Sequence, residues 1–401
     1  MTTLGSVPSD RRVDFVANDA HLATVSMTER SGRSRAATTY EIVDAAVHVR
    51  PVDQADLRRY LPAIWKHRRL PFGDRYYYPN VVGDSLIESY GNEGPPASTH
   101  RLVEEHVRGA VGARHAILHP YTYGLLPDED LLAAICSATN AWLAETWLED
   151  QPSDRPYRGT IRVSPTSVSH AVAEIEKWGS HPDFVQVGVP MQSLQTYGKR
   201  VFWPIWEAAV AHDLPVTVLT DGETGVELAP TPVGYLRTFL GFSSYKPLNF
   251  INHLASFMVE GVFDHLPDLR VVFADGGYDF AVAMSWRMDK DYRPMRADMP
   301  WMTELPSHYL ASNVRFVTSS TDRCTDPEIL GEWLAMGDAD QILVYGSHYP
   351  EWDFLAPEEA IPEADDATRQ RVLGGTAREL FGLTPEPLTP DPESRPAKEG
   401  S

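Results

Sequence analysis

Along the middle of this chain, short and almost wholly apolar runs alternate with longer segments whose apolar residues recur every three or four positions. Eight runs stand out: EIVDAAV (41–47), HAILH (115–119), GTIRV (159–163), FVQVGV (184–189), PVTVL (215–219), RVVFA (270–274), VRFVT (314–318) and QILVY (341–345). Continuous rather than alternating hydrophobicity predicts strands covered on both faces, as in a parallel sheet. The clearest intervening helix is DEDLLAAICSATNAWLAETWLED (128–150), in which Leu131, Leu132, Ile135, Ala138, Trp142 and Trp147 recur at helical steps. Asp128 and Asp130 stand at its N-terminal end, where negative charge complements the helix dipole. Further helices are predicted at about 168–179, 203–213, 249–265, 278–290, 326–336 and 366–381. Eight strand–helix units in succession predict an α/β fold of the (β/α)8 TIM-barrel type rather than an open doubly wound sheet. No strand is followed by G-x-G-x-x-G or by a GKS or GKT motif, which disfavours a nucleotide-binding sheet.

The barrel is expected to span residues 40–385. Residues 1–39, rich in Ser, Thr, Arg and Ala without periodicity, read as a flexible arm, and the proline-rich 386–401 as a disordered tail. The irregular, tyrosine-bearing stretch 66–101 separates the first two strands and reads as a lid or an interface. A formal net charge of −21, from 56 acidic and 35 basic residues, argues against nucleic acid and anionic membranes as partners. Cys136 and Cys324 form no C-x-x-C pattern, so neither a disulfide framework nor a cysteine zinc site organises the chain. No apolar signal region opens the sequence and no window reaches a membrane span, so a cytoplasmic protein is expected.

Seven stretches carry a more specific message: VDAAVHVRP (43–51), SATNAWLAETWLED (137–150), RGTIRVSP (158–165), FWPIWEAAVAHDLPVTVL (202–219), HLASFMVEGVFDHLPDLRVVFADGG (253–277), WRMDKDYRPMR (286–296) and YGSHYPEWDF (345–354). In their joint order they resemble the amidohydrolase-related family that includes aminocarboxymuconate semialdehyde decarboxylase. The resemblance implies one divalent metal, often zinc, at the C-terminal mouth of the barrel. It implies four ligand positions: an H-x-H or D-x-H pair on the first strand, a histidine ending the fifth, and an aspartate after the eighth. Alternate residues of a strand point to one face, so such a pair can reach one ion. An ion so held lowers the pKa of bound water to about 7 or polarises a carbonyl or carboxylate.

Mapped residue by residue, the first-strand pair falls on Ala46 and His48, the fifth-strand position on Leu219 and the eighth on His348. Asp275 stands where the family carries a His or Glu that assists catalysis. One ligand position is thus retained, one exchanged, and two, Ala46 and Leu219, are lost. Disturbing even a group that orients a ligand costs about 10–100-fold in metal affinity, so no metal is expected. A remodelled zinc site, if one forms, would rest on His48 and His348 with Asp275, the three-ligand count of catalytic zinc.

His48, Asp275 and His348 are therefore the candidate catalytic residues. Each has a plainer reading: a hydrogen-bonded histidine lining the mouth, a loop-orienting aspartate before two glycines, and a histidine that meets a carboxylate of substrate or partner. A histidine after the eighth strand is not expected in the core. His119, Tyr121, Arg162 and Asp221 are candidate substrate-binding residues, with Tyr123, Glu223 and the tyrosines of 75–78 beside them, although His119 before Pro120 equally suits a structural role. Arg162 on the third strand calls for a carboxylate partner or an anionic ligand. Trp142, Trp147, Trp203, Trp206, Trp286 and His253 read as packing, and Arg287 with Asp289 as a structural ion pair. Two functions fit. One is a metal-free barrel that binds a small molecule or assembles as a homodimer, or as a heterodimer with a catalytic relative. The other is an active hydrolase, decarboxylase or cyclase with a rebuilt site.

Overall fold

The computed structural model describes residues 41–67, 95–122, 125–220, 238–320, 326–351, 353–361 and 364–383. All eight expected strands form: β1 Ile42–Val47, β2 Ala113–Leu118, β3 Tyr157–Arg162, β4 Phe184–Pro190, β5 Val216–Leu219, β6 Val271–Phe273, β7 Val314–Val317 and β8 Leu343–Val344. They pair in parallel in chain order from β1 to β8. The cylinder closes where Ala45 N–H donates to Tyr345 O and His48 N–H to Tyr349 O, each at 2.8 Å. The fold is the (β/α)8 barrel that the pattern predicts. Every residue of β1, β4, β5, β6 and β8 is buried, as uninterrupted apolar runs demand.

The helices pack outside. Asp128 caps Glu129–Leu143 by accepting the Leu131 N–H at 3.0 Å, and the chain continues through a wider-pitched turn, Ala144–Glu149, that buries Trp147. The helix expected over 249–265 breaks at Gly261, whose φ of +78° suits glycine, leaving Pro247–Val259 and a short turn, Val262–His265. Pro306–Asn313 and the helical stretch from His100 to Val111 escape the sequence pattern because each is short and mostly polar. Two side-chain expectations need correction. Arg287 pairs with Asp291 one turn on, at 3.7 Å, because residues two apart on a helix diverge. Asp289 instead accepts from Ser307 N and Oγ at 2.9 and 2.7 Å. Trp142, Trp147 and Trp206 are core, whereas Trp286 is 49% exposed and does not pack as expected.

The barrel interior is divided. On β2–β5, Gln186 donates to Thr160 Oγ1 at 2.7 Å and accepts from the Thr217 hydroxyl, beside His119 and Arg162. Ala46, Val272, Ala274, Val317 and Val344 belong to one apolar cluster that also takes in Ile117, Val185 and Leu219. Gly188 on β4 makes room inside, since a Cβ there would stand 2.8 Å from Arg162 Nη1. At the N-terminal end of the barrel, buried Glu41 meets His115 Nε2 at 3.5 Å and Arg378 Nη1 at 3.4 Å. No helix among the described residues is long and apolar enough to cross a membrane. The arm 1–39, the tail 386–401, residues 68–94 of the lid stretch, Tyr123, Asp221, Glu223 and Cys324 lie outside the described residues.

Candidate active site

Strand β1 presents Asp44, Ala46 and His48 on one face by its two-residue period, and the chain after β8 brings His348 to meet them. His348 adopts φ +61°, a left-handed conformation that a non-glycine residue holds only when its surroundings impose it. Those surroundings are visible. Ser347 N–H donates to Asp44 Oδ1 at 2.8 Å, Ser347 O accepts from Leu355 N at 2.9 Å, and Ser347 Oγ accepts from Tyr349 N at 3.1 Å. So pinned, His348 places Nδ1 2.6 Å from Asp353 Oδ1 and Nε2 3.0 Å from Asp275 Oδ1. Asp275 follows β6, and its Oδ2 accepts the Thr220 N–H at 2.5 Å. The His48 ring stands edge-on to His348 at 4.8 Å between centroids, stacks on Tyr121 at 5.2 Å and lies 5.6 Å from His119.

Burial and charge set the protonation of this cluster. Burial opposes a charge on His348, but the carboxylates of Asp353 and Asp275 prevail and raise its pKa to about 9. The same contacts, working against burial, hold Asp275 and Asp353 below the ordinary carboxylate range. Burial first, then the positive His348, keep His48 neutral, well below the usual histidine value. Burial lowers His119 to about 4. Its Nε2 lies 2.8 Å from Ala45 O, an acceptor that requires the proton on Nε2 and leaves Nδ1 bare. Asp44 is driven up to about 6 by burial.

His48, Asp275 and His348 each bring one donor atom within 4.8 Å of the other two, all three residues being buried. Two of the donors, His48 Nε2 and Asp275 Oδ1, have no aligned hydrogen-bond partner. Two imidazole nitrogens and a carboxylate oxygen suit zinc or manganese, and three protein ligands with an open position is the catalytic count. A carboxylate on the far nitrogen, as Asp353 provides for His348, is the usual orienting partner of a metal-binding histidine. The donor set fits a divalent cation, although Ala46 and Leu219, at 0% and 1% exposure, put methyl groups at two corners the resemblance implied.

All three expected catalytic residues converge. His348, expected to avoid the core, is only 7% exposed, and both its carboxylate partners belong to this chain. Of the expected substrate-binding residues, His119 and Tyr121 flank His48. The Tyr121 hydroxyl donates to Glu351, whose carboxylate lies 3.8 Å from Arg50, and the Arg50 guanidinium sits 5.0 Å over the Tyr121 ring. Arg162 is fully buried and donates Nη2 to Thr122 Oγ1 at 3.0 Å. Asp221 lies outside the described residues. Asp44, Thr220, Glu351 and Asp353 were missed. Asp44 had a signal, since it shares the inward period of Ala46 and His48.

The sequence profile described as amidohydrolase matches residues 122–383, well over half of the chain, leaving β1 and β2 outside the match. No curated protein sequence matches significantly. Among solved structures, an amidohydrolase from Mycobacterium avium subsp. paratuberculosis superposes with TM-score 0.63 at 21% identity, covering 86% of this chain and 100% of that one. A 5-carboxyvanillate decarboxylase from Novosphingobium aromaticivorans, carrying manganese and 3-methoxy-4-hydroxy-5-nitrobenzoic acid, gives 0.64 at 17% identity, covering 86% and 98%. A 2,6-dihydroxybenzoate decarboxylase from Rhizobium gives 0.57 at 18% identity, covering 86% and 99%. Likeness at these identities is likeness of fold.

Proposed function

Because the chain belongs to the amidohydrolase family, we propose that it is an enzyme whose mouth holds a divalent metal on a rebuilt set, His48, Asp275 and His348. Its reaction is hydrolysis or decarboxylation of a small organic acid. The observation that carries this reading is the convergence of three buried donor atoms within 4.8 Å of one another, with His48 Nε2 meeting no hydrogen-bond partner. A buried nitrogen so placed is destabilising by roughly 1–3 kcal/mol unless something meets it. When bound, the metal supplies Lewis acidity and an acidified water.

The chain's own residues do the rest. Burial keeps His48 neutral, so its lone pair stays available. The Thr220 N–H fixes Asp275, and Asp353 fixes the His348 ring. His119, with Nδ1 bare and buried, is a proton acceptor beside His48. The Arg162 charge is felt at both His48 and His119, where the Asp275 carboxylate opposes it. The decarboxylases of aromatic acids among the structural relatives, one of them with manganese, support an aromatic acid and either manganese or zinc. The test is a turnover screen over aromatic acids and their amides, following carbon dioxide release and hydrolysis. His348→Ala should lower turnover at least about 1000-fold, as loss of a metal ligand does; unchanged turnover removes the reading.

A second reading has its own support: Ala46 and Leu219 both lie in the apolar cluster, where the resemblance implied ligands. On that reading the chain is a metal-free barrel that binds a small molecule or pairs with a catalytic relative. Mass determination by size exclusion, with and without a co-expressed relative, separates a homodimer from a mixed one.

A further inference from the structure

We infer that Gln192 forms a second recognition point in the mouth, for an uncharged group that both donates and accepts hydrogen bonds, such as a ring hydroxyl or a carboxamide. Gln192 follows β4 by two residues, and the residue before it, Met191, is held from both sides. Met191 N–H donates to Leu219 O and His253 Nε2 donates to Met191 O, each at 2.7 Å. Gln186 and Gly188 lie on the inner face of β4, and Gln192 continues their two-residue period at the mouth. Its side chain is only 6% exposed, yet neither Nε2 nor Oε1 meets a partner. The fold itself gives no reason to bury a carboxamide with both atoms unmet, because that is destabilising. The pairing of Pro190 with Leu219 sets this strand end beside that of β5, where the Thr220 N–H holds Asp275.

The chemistry of the amide selects the ligand. A carboxylate complements Nε2 but is repelled by Oε1, and a cation does the reverse. Only a neutral donor–acceptor group satisfies both atoms. Because the ends of β4 and β5 adjoin and the Thr220 N–H holds Asp275, a molecule bound at Gln192 lies on the side of the mouth that Asp275 occupies. The inference rests on the mouth being the substrate site and not on its holding a metal.

Calorimetric titration of the full chain with phenol, benzamide and benzoate, with chelator and again with manganese, tests this. Gln192→Leu is expected to weaken phenol and benzamide at least tenfold while changing benzoate less than twofold, and His348→Ala to preserve that Gln192 dependence. Gln192→Met serves should the leucine variant fold poorly. Failure of both neutral probes to bind the native protein at millimolar concentration, equal binding by the Gln192 variants, or an equal loss for benzoate overturns the inference. Loss of manganese dependence alone counts against the metal reading and leaves Gln192 standing.

Discussion

A histidine meets carboxylate at each end of this barrel, and the two clusters are built in opposite proportions. At the N-terminal end one acid, Glu41, faces two basic groups, His115 at 3.5 Å and Arg378 at 3.4 Å. At the mouth one imidazole, His348, faces two acids, Asp275 at 3.0 Å and Asp353 at 2.6 Å, while a second imidazole, His48, meets neither. The first arrangement supplies its own neutralising charge. The second sets two acids against one charged imidazole and leaves His48 Nε2 without a hydrogen-bond partner. On the proposed reading, charge of the same kinds serves stability at one end and binding at the other, as barrels generally divide these tasks.

The largest effect expected is on Asp44, whose side chain ties β1 to the loop carrying His348. Its pKa is raised from 3.8 to about 6, so the folded state holds a proton that the unfolded state has released between those values. Stability from this group is full below about pH 4 and declines as pH rises through 6, by on the order of 3 kcal/mol. Urea unfolding of Asp44→Asn and native protein across pH 4–8 should therefore diverge with rising pH in favour of the variant. Parallel curves would show that Asp44 is ionised at no such cost. Next, Glu41→Ala should lower stability by about 2–3 kcal/mol, since Arg378 and His115 lose their counter-charge in a mostly buried site. Metal uptake at the far end should not change. A fall in metal uptake would break the division of labour.

The mouth counterpart is Asp353→Ala, which removes the group orienting His348. Manganese affinity should fall about 10–100-fold with little change in unfolding midpoint. A loss of stability without loss of affinity would make the pair structural, like the one at Glu41. The smallest effect is a gain: Leu219→His restores a ligand type where the resemblance implied one, and should tighten manganese about tenfold. Isothermal titration reads both.

The eight strands were legible because a chain buried on both faces cannot hide its hydrophobic runs. His48, Asp275 and His348 were legible as well, since each sits at or just beyond a strand end, where sequence position fixes location in a barrel. What the sequence left open was distance. Counting substitutions one position at a time made Ala46 and Leu219 read as lost corners. It could not reveal that Asp275 and His348, 73 positions apart by their numbering, approach within 3.0 Å. Asp353 was hidden for a local reason: its reach back to His348 depends on the left-handed turn at that residue, which nothing in GSHYPEWD announces. The partner of Arg287 was misjudged by neglecting helical geometry, an error the periodicity itself could have prevented.

The central claim is that His48, Asp275 and His348 make one cation site. Equilibrium dialysis of the chelator-stripped full chain against manganese or zinc, followed by elemental analysis, measures it directly. One equivalent should be retained by the native protein and lost in His48→Ala with the fold intact by circular dichroism. Retention of no metal by the native chain, or equal retention by the variant, would contradict the account.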